Sequence, residues 1–470
     1  MIPETDFVTP VDIPALIDRQ TFGRFHLQVL LLCAATLFID GFDVQSIAYV
    51  GPSVSKDWHL GPGALGPVFG AGVLGLMLGA LVFGPLADRV GRRTVLISCV
   101  LLFGAGTLAT AAAASMQGLL VIRFVAGLGL GGAMPTAIAL VAEYSPSRLR
   151  ARMVVVAFCG YSVGSASGGV VAANLIPAFG WHAVFYFGGF LTLLIAPILL
   201  VALPESLRVL SIMGGESERI VRILRRMNPE LQFGEATCFV NHEEKLGGFP
   251  VLHLFREGRA PATILLWIIF FANLLDLFLM SHWLPTIIND VGFSLQTAVI
   301  ATSLLQIGGT IGGLALGWLM DRLGAYRVLS IGYVTAAIFI VGIGLVGSSV
   351  WTLMVSVLGA GFCIMGGQIA LNALAATFYP TPMRSTGLGW ALGIGRVGSF
   401  VGPVAGGVML SLQWSTLTIF LLGAIPALVA AGAVAGLARF RHLTSGHDED
   451  QGPVSCGAAI ETSRPIEASI

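Results

Sequence analysis

Two aspartates three residues apart, Asp40 and Asp43 in the stretch Ile39-Asp-Gly-Phe-Asp-Val44, stand inside a long apolar run near the start of the chain. At this spacing both lie on one face of a helix. Two carboxylates in a poorly hydrated site repel one another, so one of them holds a proton at neutral pH. Arg123 and Arg396 are the only basic residues inside apolar runs, and a guanidinium is always charged and grips a carboxylate through two hydrogen bonds. Ionisable groups in such surroundings are costly and are functional by default. Counted at about 1.5 Å per residue, Arg396 falls near the middle of its run, whereas Arg123 and Asp43 both sit roughly 8 to 10 Å from one end. The expectation is that Arg123 pairs with the aspartates as a proton-sensitive switch and that Arg396 binds the carboxylate of a ligand. The bland alternatives are an aspartate capping a helix broken at Gly41 and arginines held in static salt bridges.

The elements that position these residues follow from composition. The chain has 470 residues, 56% of them hydrophobic and 11% charged, with mean hydropathy +0.87, where a soluble domain carries about 25% charge. That excludes an ordinary water-soluble enzyme, and neither a nucleophile with its base nor a metal-ligand cluster stands out. The 25 Lys+Arg against 25 Asp+Glu leave no basic footprint for nucleic acid. The six cysteines are scattered and suggest neither a disulfide framework nor a metal site.

Windows long enough to cross about 30 Å of hydrocarbon place helices near 26–50, 64–86, 94–114, 118–143, 152–175, 181–203, 261–283, 296–320, 327–347, 350–378, 386–411 and 414–438. The predicted fold is an all-α integral membrane protein of twelve transmembrane helices in two six-helix halves, 26–203 and 261–440. Residues 1–25 form an N-terminal segment that lacks the basic start of a signal peptide. The linker 204–260 carries Arg219, Arg222, Arg225 and Arg226 at helical spacing, which suits an amphipathic helix on the membrane surface. The tail 441–470 has the composition of a disordered segment. Apart from Lys56, Arg123 and Arg396, every basic residue falls in one set of loops, the linker or the termini, which makes both termini cytoplasmic.

A repeat underlies the two halves. A shift of 233 residues places Asp40 on Asn273, Asp43 on Asp276, Gly84 on Gly317, Asp88 on Asp321, Arg89 on Arg322 and Gly91 on Gly324. A shift of 234 then places Arg150 on Arg384, Gly164 on Gly398 and Gly168 on Gly402. Two such halves around a midplane site are a transporter plan, with access alternating as one half rocks against the other. No P-loop pattern is present, so ATP is not the expected energy source.

The loop after the second span reads Gly84-Pro-Leu-Ala-Asp88-Arg89-Val-Gly91-Arg92-Arg93, with a degenerate copy through Gly317, Asp321, Arg322 and Gly324. Gly84 and Gly91 permit close packing and a tight turn, Asp88 can bond a neighbouring helix N-terminus and the arginines can reach acidic partners. With this loop, and with Pro204-Glu205-Ser206-Leu207-Arg208 after the sixth span, the chain resembles the major facilitator superfamily. Within it the resemblance is to the aromatic acid:proton symporters, on Asp40-Gly-Phe-Asp43, Arg123 with Gly127, Gly129, Gly131 and Gly132, Glu143-Tyr-Ser-Pro146, Ser281-His-Trp-Leu-Pro-Thr286, and Phe378-Tyr-Pro-Thr381 through Arg384 to Arg396.

That resemblance implies a monomeric carrier of the bacterial inner membrane that imports a hydroxybenzoate-like carboxylate, with the proton as coupling ion and no cofactor. It assigns proton coupling to Asp40, Asp43, Arg123 and Glu143, although Glu143 also suits a salt bridge with Arg150, Arg89 or Arg92. Substrate contacts are expected from Arg396; Asp276, Asn273, Gln368, Asn372 and His282 could each hydrogen-bond ring hydroxyls, with helix-to-helix hydrogen bonding the favoured alternative, and Phe42, Phe158, Tyr161 and Trp390 could stack on a ring, with packing the favoured alternative. A cytoplasmic latch is expected from Gly84, Asp88, Arg89, Gly91, Arg92, Asp321, Arg322 and Arg384. An exporter of organic acids or drugs, or a symporter for a non-aromatic carboxylate, would use the same fold. The glycine runs Gly160 to Gly169 and Gly398 to Gly407 read as close-packing faces.

Overall fold

The computed structural model describes residues 10–213, 217–228, 238–240, 254–255, 258–345, 349–379 and 384–440. Twelve of its helices are long and apolar enough to cross a membrane. In the first half these are α2 (Arg24–Asp57), α3 (Gly66–Val90), α4 (Arg92–Ala111), α5 (Met116–Tyr144), α6 (Ser147–Phe179) and α7 (His182–Ala202). In the second half they are α10 (Ala260–Asp290), α11 (Leu295–Leu323), α12 (Ala325–Gly344), α13 (Val350–Phe378), α14 (Arg384–Ser411) and α15 (Thr416–Leu437). A short strand β1 (Pro10–Asp12) and helix α1 (Ile13–Asp18) precede them, and α8 (Leu207–Met213), α9 (Ser217–Met227) and strand β2 (Cys238–Val240) lie in the linker.

Several helices run beyond the apolar windows, α2 to Asp57 and α10 to Asp290. Hydropathy ends where polar residues begin, but the backbone ladder continues into the aqueous layer. The side of the bundle on which α1, α8 and α9 pack is here called the terminal side, and the opposite one the distal side. Four helices that start on the distal side are capped alike: Ser115, Ser294, Ser349 and Ser415 each accept a hydrogen bond from the backbone N–H three residues on, which satisfies a donor the helix itself leaves free.

The pairing of helices repeats between halves. α2 packs on α6 as α10 does on α14, α3 on α5 as α11 on α13, and α4 on α7 as α12 on α15. The glycine runs make the first pairing possible. A Cβ at Gly164 of α6 would run into the Phe38 carbonyl of α2, and one at Gly398 of α14 into the Phe271 carbonyl of α10. In lipid, where apolar surface gains nothing by leaving its solvent, such backbone contact drives association.

The halves are joined unevenly. One apolar core on the distal side contains residues of both halves, including Tyr49, Val54, Leu65 and Phe69 with Trp283, Leu284, Ala298 and Val299. Gly63 in the turn before α3 and Gly66 of α3 lie directly on Gly407 of α14. Gln45 of α2 donates to the Ser281 carbonyl of α10 at 2.6 Å and accepts from Gln306 of α11 at 3.3 Å. On the terminal side the core is split into one cluster from the first half and another from the second. The bundle is closed distally and parted at the terminal side.

The membrane-spanning fold is all-α with twelve spans, as expected; outside it β1 and β2 pair in parallel, Pro10 with Cys238 and Asp12 with Val240, tying the N-terminal segment to the linker. One expectation is corrected. The arginine-bearing helix α9 does not spend its apolar face on lipid. Ile220, Ile223 and Leu224 are buried in the terminal-side core of the first half, with Arg226 over the Phe25 ring. The tail from 441 onward lies outside the described residues.

A side chain at Gly164 must push α6 off α2, so Gly164→Val is expected to destabilise the protein by at least about 1–3 kcal/mol. Thermal unfolding in detergent measures it. Gly432→Ala, whose Cβ meets nothing within 4 Å, leaves the transition where it was.

Candidate functional site

Helix α2 passes unbroken through Gly41, so neither aspartate caps a helix end there. Gly41 instead lets the α2 backbone rest on Tyr161 of α6, and the i, i+3 spacing sends both carboxylates into the protein, each 1% exposed. Asp43 faces its own half. Arg123 of α5 approaches it with Nη1 at 3.3 Å from Oδ2 and 3.4 Å from Oδ1, and Thr107 of α4 donates to Oδ1 at 2.6 Å. Phe185 of α7 lies under the guanidinium at 5.9 Å. The pair is thus enclosed by four helices of one half, and Arg123 is 3% exposed.

Asp40 faces the other half. It interacts electrostatically with Asp43 and with Arg396 of α14, and Tyr161, half-buried, shares the field of both Asp40 and Arg396. Among the described residues no carboxylate lies within the 4.0 Å ion-pair distance of Arg396, and Asp40 Oδ2 is buried without a hydrogen-bond partner. The two arginines therefore differ in kind: Arg123 is buried and bonded to a carboxylate of its own half, and the half-buried Arg396 faces a carboxylate across the seam.

The remaining candidates divide. Gln368 accepts from Asn273 at 2.7 Å and donates to Asn372 at 3.1 Å, a polar chain linking α10 to α13 whose Asn273 Oδ1 is still free. Asp276 is not drawn into the seam. It is 1% exposed inside the second half, against the Ala427 backbone of α15 and Tyr333 of α12, because the repeat carries the carboxylate to the place equivalent to Asp43 without an equivalent of Arg123; that position holds Val357. Phe42 is not a free stacking face either: its ring packs on Phe187 at 5.8 Å and against Gly168 and Gly188. Trp390 is 44% exposed and stacks on Trp267, which lines a groove of apolar side chains between α10, α14 and α15, away from Asp40. Phe158 stacks on Tyr161 at 5.6 Å.

Glu143 lies at the terminal end of α5, bound to Arg92 at 3.0 Å, to the Ser206 hydroxyl at 2.8 Å and to the Arg208 backbone N–H at 2.8 Å. Of the partners open to it, Arg92 is the one used, and Arg150 pairs with Asp18 at 3.9 Å. Asp88 does not cap the neighbouring helix. It pairs with Arg92 at 3.3 Å and stays 59% exposed, while the N-terminus of α4 is capped by Glu205, which accepts from the Arg93 N–H at 2.9 Å. Gly91 makes the turn with φ +119°, and its missing Cβ leaves room for the Glu205 carboxylate. Gly84 meets open space rather than a packed neighbour. Arg89 and Asp321 are exposed, Arg322 lies over Trp318 at 4.0 Å, and the side chain of Arg384 lies outside the described residues.

Three contributors escaped the sequence reading. Thr107 sits in an apolar helix with nothing local to mark it, Glu205 was visible only as part of a motif, and Gln45 bonds partners more than two hundred residues away.

The sequence profile of the Major Facilitator Superfamily matches residues 33–315 and 266–455. The chain is 39% identical over 433 residues to the 4-hydroxybenzoate transporter PcaK of Pseudomonas aeruginosa, covering 92% of this chain and 97% of the relative. It is 40% identical over 435 residues to the gallate transporter of Pseudomonas putida, covering 92% and 96%. Among solved structures the D-xylose-proton symporter superposes with TM-score 0.66 at 16% identity, covering 87% of this chain and 97% of that one, a likeness of fold.

Asp43→Asn leaves the Arg123 guanidinium buried without its counter-charge and is expected to cost about 3–5 kcal/mol. The double variant Asp43→Asn/Arg123→Gln removes the charge as well and recovers most of that loss. Thermal melts of the two proteins in the same detergent make the comparison.

Proposed function

The chain belongs to the major facilitator superfamily, and on that premise we propose that it imports an aromatic carboxylate of hydroxybenzoate type together with protons. It is a transporter and not an enzyme, like its relatives. The observation that carries the substrate reading is Arg396: a guanidinium at the seam of the two halves, beside Tyr161 and Asp40, with no carboxylate in ion-pair range among the described residues. A planar fork in that position suits a substrate carboxylate, and the flanking tyrosine offers a ring face and a hydroxyl. The relatives' printed substrates, 4-hydroxybenzoate and gallate, supply the aromatic class.

On this reading the terminal side faces the cytoplasm of a bacterial inner membrane, by the distribution of Lys and Arg, and the state described above is open inward. In the outward-open state a proton taken up by the Asp40/Asp43 pair weakens its hold on Arg123 and lowers the negative charge facing an incoming anion. The substrate carboxylate docks on Arg396. Docking ties α14 of one half to α2 and α6 of the other, and the distal seam closes over it. The loop of Asp88, Arg89 and Arg92 is then free of the second half, and substrate and proton leave toward the more alkaline side. Glu143 acts in this cycle by fixing Arg92, and Gln368 and Asn372 serve ring hydroxyls.

Proteoliposomes given radiolabelled 4-hydroxybenzoate, protocatechuate or gallate are expected to accumulate at least one of them under an inward proton gradient, and a protonophore abolishes the accumulation. Efflux driven by the same gradient would instead mean export. Arg396→Lys is expected to raise KM by about tenfold or more, since a charge-assisted hydrogen bond contributes roughly 1.5–3 kcal/mol; an unchanged KM would remove Arg396 from the substrate site.

A further inference from the structure

His282 belongs to α10 in the second half, yet it is 3% exposed at the seam, its ring 5.2 Å from Phe69 of α3 and stacked on Phe278 of its own helix at 5.6 Å. Its Nδ1 lies 3.0 Å from the Phe278 carbonyl oxygen. A carbonyl only accepts, so Nδ1 carries the hydrogen, and in the neutral ring Nε2 is an acceptor. Between the halves lies a pocket of about 20 Å³ bounded by residues that include Phe69, Gly72, Val73 and Phe278, and the only polar side chains among them are Arg123 and His282. Arg123 spends both terminal nitrogens on Asp43, while its Nε is buried with no partner. A donor and an acceptor, each from a different half, thus border one small pocket. A water needs a cavity of at least about 10–15 Å³ and two or more polar partners.

We propose that this pocket holds one water molecule, which accepts from Arg123 Nε–H and donates to His282 Nε2, and that His282 is thereby a positioning residue tying the Asp43–Arg123 pair to the second half. The inference deepens the proton-coupled reading above and rests on it for its functional part. The charged neighbours of the link are Arg123 from α5 and, behind it, Asp43 and Asp40 from α2; α3 contributes only apolar groups to the pocket. When the Asp40/Asp43 pair takes up a proton its pull on Arg123 falls, and the water bridge becomes the guanidinium's tie to the second half, one that exists only while the distal seam is closed. Proton uptake in the first half is in this way converted into closure against the second.

His282→Phe keeps the ring and both stacking contacts but removes Nε2, and His282→Gln keeps an acceptor. The Phe variant is expected to lose about tenfold in proton-driven accumulation of labelled 4-hydroxybenzoate or gallate, the size of one lost hydrogen bond to a charged group. The Gln variant, which keeps an acceptor, recovers most of the accumulation. Accumulation by His282→Phe as steep as the parent's overturns the proposal. Nitrogen-15 NMR of histidine-labelled protein gives a second, transport-free reading, with the His282 signals identified by their loss in the Phe variant. A ring protonated at Nδ1 whose Nε2 signal moves on Arg123→Gln supports the bridge; a ring protonated at Nε2, or one indifferent to Arg123, overturns it. Should the parent build no gradient for any aromatic acid, the proposed function fails while the NMR result still decides the water link.

Discussion

A guanidinium cannot shed its charge, and inside a membrane protein it cannot be left without a counter-charge. Much of the arrangement around α2 follows from satisfying two of them. Arg123 is satisfied within the first half, by Asp43, with Thr107 fixing the carboxylate and Phe185 beneath the cation. Arg396 is left to find its balance across the seam, from Asp40. The i, i+3 spacing of the two aspartates lets one helix serve both, and Gly41 between them lets that helix rest directly on the Tyr161 backbone of α6.

The halves themselves are rigid for a different reason. Backbone lies on backbone at Gly160, Gly164, Gly398 and Gly402 within each half, and such contacts do not slide without a steric cost. Between the halves backbone meets backbone at Gly63, Gly66 and Gly407, but the other contacts there are of another kind: amides, serine and threonine hydroxyls and aromatic edges. A seam of that composition can open and close, because each polar group released from its partner is exposed to water. The separate terminal-side cores are what remains of the contact when the distal side is shut. The linker respects this division, since α8 and α9 add their apolar faces to the first half alone.

The loop after α3 illustrates how a motif residue can have a partner other than the one its type suggests. An acid near a helix start is a natural cap, and the sequence offered Asp88 for the role. Glu205, over a hundred residues later, reaches that N-terminus instead, which leaves Asp88 on the surface, bonded only to Arg92 and available to a partner from the second half.

The number of spans, the division into halves, the close-packing glycine faces and the identity of the buried ionisable groups were all legible in the sequence. Each is set by a local property: apolar length against bilayer thickness, the period of the repeat, the absence of a Cβ, and the cost of charge in hydrocarbon. What the sequence could not decide is which way a side chain on a wholly apolar helix faces, because a helix buried all round has no polar stripe to orient it. So the sequence does not show that Phe42 and Asp276 pack inside their own halves, that Trp390 is exposed beside Trp267, or that Thr107 and Gln45 bond distant partners. Only the tertiary structure determined these, since contacts between residues far apart in the chain depend on how twelve helices are rotated against one another, and that rotation is fixed by the packing of the whole set.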